Sequence, residues 1–415
     1  MAVLRFLSFL LVFILPLVGG GEAAEQKKSA QPATPDLIVA VIKEPVFSDI
    51  DAAILFYQQL ASYGVWPQIK KGPLLRTGNR HTQVSLLRRQ LTSLGYLGLN
   101  LSVEADPELF DSALHQALIG FQRSHGVKAD GIVGPVSRGL LNITPRQRLD
   151  QLLVNRVRQQ NLEVTTLGRY IQVNIPEFRL RVYQQGELLL QMKTIVGRKK
   201  RQTPVFNTEI QALVLNPSWS VPKSIAYKDI IPRWLKDPGF AGRLNLQVVS
   251  GKGDNRVVMP ASAADPALMY KGREYPHFWE PPGEANTLGR IKFMSRSRYA
   301  IYLHDTSARY LFSHEKRAFS SGCIRVERAR TLADLLLQLD QPDQLFELDE
   351  KLASLETGEV YLQQPVPVYI TYWTAWVDDY GALNFRDDLY KKDLHDLLAL
   401  RVSDKNEDFN SPRVD

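Results

Sequence analysis

The chain's single cysteine, Cys323, stands in the run Ser320-Ser321-Gly322-Cys323-Ile324-Arg325, nineteen residues after His304. A cysteine attacks a carbonyl carbon as its thiolate, and a nearby imidazole can remove the thiol proton. These two residues have the types needed for a nucleophile and its general acid/base. Gly322 lets the backbone approach closely, so the Gly322 and Cys323 N–H groups are candidate oxyanion donors. A lone thiol cannot be half of an internal disulfide. In an exported chain it is a nucleophile, an intermolecular cross-linker or an accident, and its neighbours favour the nucleophile.

The run Ile301-Tyr302-Leu303-His304 alternates, and a strand is expected over 299–303. Residues two apart share a face, which sets Tyr302 and His304 against Ile301 and Leu303, with His304 pointing away from the core. His314 is a rival base, but Ser313, Glu315, Lys316 and Arg317 around it suggest a solvated loop. Tyr302, Asp305, Ser321 and Arg325 are candidates for substrate binding or support. Arg325 either meets a substrate carboxylate or braces the loop. The group that orients His304 is either the Asp305 carboxylate or a backbone carbonyl. One cysteine and seven scattered histidines give no zinc-type spacing, so no metal or cofactor is expected. Gly251-Lys252-Gly253-Asp254 lacks the glycine spacing of a phosphate loop.

Arg5, the apolar run from Phe6 to Val18 and the small residues ending at Ala23-Ala24 have the pattern of an export signal over 1–24. An uncleaved anchor is the alternative, disfavoured by the short run and Pro16. The net charge of +7 suits either an anionic cell-wall polymer or membrane surface, or plain solubility. Export disfavours nucleic acid. The length allows two or three domains.

Residues 25–79 form a polar leader and a helical scaffold, with a helix expected over 51–63. Between 80 and 145, Val84, Leu87, Leu91 and Leu94 lie at helical spacing, as do Phe110, Leu114, Leu118 and Phe121. A helical connector follows over 146–168. From 169 the period becomes two, through Ile171, Val173, Ile175, Leu180 and Val182, with a turn at Gln184-Gln185-Gly186-Glu187. This mainly β domain is bounded at 345, with strands expected over 209–215 and a helix over 328–339. Its segment 225–280 lacks alternation and holds Trp234, Phe240, Tyr270, Tyr275, Phe278 and Trp279, which either line a cleft or pack internally. Residues 346–415 form a C-terminal extension.

Leu94-Gly95-Tyr96-Leu97, Phe121-Gln122-Arg123-Ser124-His125-Gly126 and Asp130-Gly131-Ile132-Val133-Gly134-Pro135 resemble the small helical peptidoglycan-binding domain. The segment either binds glycan or peptide or is a bundle that packs on its neighbours. Tyr302-Leu303-His304-Asp305-Thr306 and the Cys323 run resemble the L,D-transpeptidase catalytic domain, as do Asn286-Thr287-Leu288-Gly289-Arg290-Ile291-Lys292-Phe293 and the stretch from Val368 to Trp376. The resemblance implies a multidomain α+β chain with a β-sandwich catalytic domain, a lid-like insertion over 225–280 and a three-helix binding domain. It implies a periplasmic enzyme that forms a Cys323 thioester with a peptidoglycan tetrapeptide stem, releases D-Ala and joins two diaminopimelate residues in a 3-3 cross-link. His304 would shuttle the proton, and cell-wall synthases would be possible partners. Resolution of the thioester by water, or by a lysine of a lipoprotein, uses the same residues. A non-enzymatic wall-binding scaffold is the alternative of another class.

Overall fold

The computed structural model describes residues 44–98, 106–160, 168–250, 257–270 and 277–410; the expected export signal lies outside them. Helix α1 (Ile50–Ser62) begins where the Asp49 carboxylate accepts the Ala52 N–H at 2.8 Å. Three further helices follow, α2 (Thr82–Ser93), α3 (Ser112–Ser124) and α4 (Pro135–Leu141). Asp111 caps α3 by accepting the Leu114 N–H at 2.7 Å. Helix α5 (Pro145–Gln160) connects to the β domain.

The residues at helical spacing meet in one core. Val84, Leu87, Leu91, Phe110, Leu114 and Leu118 are fully buried, and Tyr57 of α1 and Leu152 of α5 join them. The family-like residues Tyr96, Leu97, Phe121 and Val133 are buried here too, so they build the bundle.

The β domain begins with β1 (Arg169–Asn174), β2 (Arg179–Gln184) and β3 (Glu187–Gly197). Gln185 and Gly186 both take left-handed φ (51° and 82°), the two-residue hairpin geometry that matches strand twist. Next come β4 (Phe206–Leu215), β5 (Trp219–Ser220), β6 (Gln247–Ser250), β7 (Val257–Pro260), β8 (His277–Glu280) and β9 (Ile291–Ser295). The remaining strands are β10 (Leu303–His304), β11 (Ala318–Ser320), β12 (Ile324–Val326), β13 (Gly358–Thr371), β14 (Ala375–Val377) and β15 (Leu383–Phe385). Among the described residues a nine-stranded sheet runs β11-β3-β12-β10-β9-β4-β13-β1-β2, and β2 pairs back onto β3 to close it around its core. Helix α6 (Ala329–Asp340) presents Leu332, Ala333, Leu336 and Leu337 to that core, all fully buried. Each leucine so buried contributes roughly 1.5–3 kcal/mol.

Three expectations need correction. The domain does not end at 345: β13 lies between β4 and β1, parallel to β1 and antiparallel to β4. The insertion is not irregular, since its strands β6, β7 and β8 form a four-stranded sheet with β5, which precedes it. Trp234 and Phe278 are buried in its core and cannot line a cleft. The strand expected over 299–303 shrinks to Leu303–His304, because Ala300 takes φ 50° and interrupts the extended backbone.

Helix α7 (Gln344–Ala353) follows α6, and α8 (Asp393–Asn410) ends the described chain. The β14–β15 hairpin packs Ala375, Leu383 and Phe385 into the helical core rather than the sheet core. Buried Asn155 of α5 ties the two together: it accepts the Thr374 N–H at 2.8 Å and its amide donates to Thr374 Oγ1 at 2.8 Å.

Candidate active site

Strand β10 places the site. It pairs antiparallel with β9 and parallel with β12, so Phe293, Leu303 and Ile324 form one row and Lys292, His304 and Arg325 the next. The first row is fully buried in the sheet core. The second therefore lies on the opposite face. His304 is on the face away from the core, as the alternation requires, but it is not outward in the sense of exposed: only 4% of it is accessible. Ile301 is half-buried beside Gly322 instead of joining Leu303 in the core.

His304 Nδ1 lies 2.6 Å from the Asp305 carbonyl oxygen, which can only accept, so the ring carries its proton on Nδ1. The Asp305 carboxylate is engaged elsewhere, accepting from the Arg290 N–H at 2.9 Å and pairing with Arg309 at 2.9 Å. The backbone carbonyl, not the Asp305 side chain, orients the imidazole. Burial, then the Arg325 charge, pushes the imidazole pKa down to about 3, while the Asp305 and Leu288 carbonyls oppose the shift. His304 is neutral near pH 7.

Cys323 is half-buried, and its Sγ lies 3.9 Å from the Ala300 carbonyl oxygen. Burial pushes its thiol pKa up, opposed by the Tyr302 N–H, Lys292 and Arg325. Among the described residues, Cys323 Sγ and His304 do not hydrogen-bond to each other. They share a face two residues apart in register, since the row of Leu303 and Ile324 lies between them and the Ile324 N–H donates to the Tyr302 carbonyl at 2.9 Å. His314 packs edge-on against Phe319, with ring centroids 5.4 Å apart.

The loop that holds Cys323 is closed by hydroxyls. Gly322 sits at φ 123°, where a β-carbon would lie 2.9 Å from Ile301 Cδ1. Ser320 Oγ donates to the Cys323 carbonyl at 2.5 Å and accepts the Gly322 N–H at 3.1 Å. The expected pair of oxyanion donors is thus reduced, because Gly322's N–H is already engaged. The Cys323 N–H has no partner among the described residues. Thr203 Oγ1 donates to the Gly322 carbonyl at 2.7 Å and accepts the Gly197 N–H at 2.9 Å.

Ser321 Oγ accepts from Arg198 at 3.2 Å and Arg201 at 2.9 Å. Both arginines also pair with Asp229, which lies in a π-helical turn (Ala226–Ile230) of the insertion. The insertion and the cysteine loop therefore share one ionic cluster. Sequence reasoning missed Lys292, Thr203, Arg198, Arg201 and Asp229. The Ile291-Lys292-Phe293 alternation was a signal for Lys292, since it places the lysine opposite two core residues.

Residues 168–369 match the YkuD family model, described as "L,D-transpeptidase catalytic domain", and residues 80–141 match a model described as "Putative peptidoglycan binding domain". A Haemophilus influenzae protein named "Putative L,D-transpeptidase" is 35% identical over 215 residues, covering 52% of this chain and 43% of that protein. The Mycobacterium tuberculosis N-acetylmuramoyl-L-alanine amidase CwlM is 39% identical over 77 residues, 16% of this chain and 18% of CwlM. The chain thus spans less than half the length of either relative. Among solved structures, an L,D-transpeptidase from Stackebrandtia nassauensis has 13% identity, covers 74% of this chain and 97% of that chain, and gives a TM-score of 0.25. One from Xylanimonas cellulosilytica has 13% identity, covers 73% and 100%, and gives 0.22. Overlaps that weak carry no inference. Residues 168–369 belong to the L,D-transpeptidase catalytic-domain family, and they follow an N-terminal peptidoglycan-binding domain.

Proposed function

We propose that this protein is a periplasmic peptidoglycan L,D-transpeptidase in which Cys323 is the nucleophile and His304 the general acid/base. The observation that carries the reading is the half-buried Cys323 on the same face as a buried, neutral His304, within the catalytic-family segment. His304 Nε2 takes the thiol proton, and the thiolate attacks the carbonyl of the third residue, a diaminopimelate, in a tetrapeptide stem. The Cys323 N–H faces the developing oxyanion. The peptide bond to D-Ala breaks, the imidazolium protonates the leaving amine, and a thioester remains. The side-chain amine of a second stem's diaminopimelate then attacks, giving the 3-3 cross-link and regenerating the thiol.

An imidazole with a pKa near 3 is a weak base towards a neutral thiol. The negative charge formed on Cys323 favours an imidazolium on the same face, which raises the proton affinity of His304 as the transfer proceeds. The missing hydrogen bond is made when substrate seats and one side chain rotates, as is common in empty sites. The insertion serves as a lid anchored through Asp229. The helical domain holds the wall polymer while the catalytic domain works.

The test is product analysis after incubation with purified disaccharide-tetrapeptide, beside a Cys323→Ala protein. Cross-linked dimers plus free D-Ala, absent from the variant, support transpeptidation. Shortened monomers alone replace it with hydrolysis, and wall binding with no Cys323-dependent product replaces it with a scaffold.

A further inference from the structure

Lys292 and Arg325 flank His304 in consecutive strands, standing directly opposite it in the β9–β10 and β10–β12 registers. Both side chains are half-buried. Neither forms an ion pair among the described residues. The Lys292 ammonium lies over the Tyr302 ring, 4.0 Å from its centroid, and Arg325 Nε is buried without a hydrogen-bond partner. Two other sheltered arginines find carboxylates, Arg158 pairing with Asp393 at 2.7 Å and Arg181 with Glu177 at 2.6 Å, while the buried Arg138 and Arg317 donate to backbone carbonyls. Two sheltered cations without an anion cost stability unless the working site supplies negative charge.

We infer that Lys292, with Arg325, supplies the standing positive charge that stabilises the Cys323 thiolate, which makes Lys292 a further positioning residue of the acyl-transfer site. The inference rests on Cys323 being the nucleophile. When the S–H bond breaks, the proton goes to His304 and the electron pair stays on sulfur, on the face that carries the two cations. The charged and titratable groups facing this centre are His304 on β10, Lys292 on β9, Arg325 on β12 and Tyr310, with Glu359 of β13 acting on Lys292. Both cations favour the thiolate against burial, and both disfavour a protonated His304. Tyr302 fixes the ammonium through its ring and turns its N–H towards the sulfur.

The test is the rate of Cys323 alkylation by iodoacetamide from pH 5 to 9 in the full chain, for wild type, Lys292→Met and Lys292→Arg, with Cys323→Ala as blank. Lys292→Met is expected to move the profile about one pH unit higher, an approximately tenfold slower reaction at pH 7. Lys292→Arg keeps the charge and stays within about threefold of wild type. If Lys292→Met does not fold, Lys292→Gln carries the same expectation. An unmoved profile in the charge-removing variant overturns the inference and leaves Cys323 as the nucleophile. Wild type reacting no faster than the blank overturns both readings.

Discussion

The burial of His304 makes stability depend on pH in a way that one substitution isolates. In the unfolded chain a histidine binds its proton around pH 6.5, whereas in the folded protein burial holds this one near 3. The unfolded state binds more protons between those values, so the stability contributed above pH 6.5 is lost as pH falls. Between pH 7.5 and 5.0 the loss from this residue alone comes to about 2 kcal/mol. For a urea m-value of about 3 kcal/mol/M, that lowers the midpoint by roughly 0.7 M. His304→Gln keeps a donor for the Asp305 carbonyl but removes the titration. Buried His125, whose pKa burial also lowers, contributes the same sign in both proteins and cancels in the comparison. Urea unfolding at the two pH values, followed by tryptophan fluorescence, is expected to show wild type losing about 2 kcal/mol more than His304→Gln. Equal losses in the two proteins refute the buried, neutral state assigned to this imidazole.

Thr203→Val keeps the shape of a fully buried side chain but strands the Gly322 carbonyl and the Gly197 N–H; the expected destabilisation is about 2–4 kcal/mol in urea melts. Gly289→Ala places a β-carbon 2.4 Å from the Asp305 carboxyl at φ 66°, and is expected to cost about 2 kcal/mol or more and to slow Cys323 alkylation. Asp229→Asn removes the anion shared by Arg198 and Arg201, so hydrogen exchange should quicken in both the insertion and the Ser321 loop; faster exchange confined to the insertion contradicts the coupling. Asn155→Ala unpairs the Thr374 N–H and is expected to lower stability by about 1–3 kcal/mol, read as a lower melting temperature.

The sequence shows where local rules suffice. Val84, Leu87 and Leu91 mark α2 because one helical face is apolar, and Ile171 and Val173 mark β1 because one sheet face is buried. Cys323 and His304 stand out by residue type before any geometry is known. Strand β13 was hidden by Pro365 and Pro367, which argue against a central strand. Pro365 falls at a register shift between Tyr361 and Val366, where ladder bonding is interrupted, whereas Pro367 stands within the ladder opposite Glu209. The strands of the insertion are four residues long and β5, which pairs with them, only two, too short for alternation to appear. Lys292 could be placed on a face, but only the β9–β10 register brings that face to His304. Arg198 and Arg201 resemble a solvated basic loop until the chain brings Asp229 and Ser321 to them.

The acyl-enzyme itself is the most direct measure of the proposed chemistry. Intact-protein mass spectrometry shortly after mixing with disaccharide-tetrapeptide is expected to show a hydroxylamine-labile adduct with the mass of the stem lacking D-Ala, and none on Cys323→Ala. An adduct that persists on Cys323→Ala, or D-Ala release that does not depend on Cys323, contradicts the thioester mechanism.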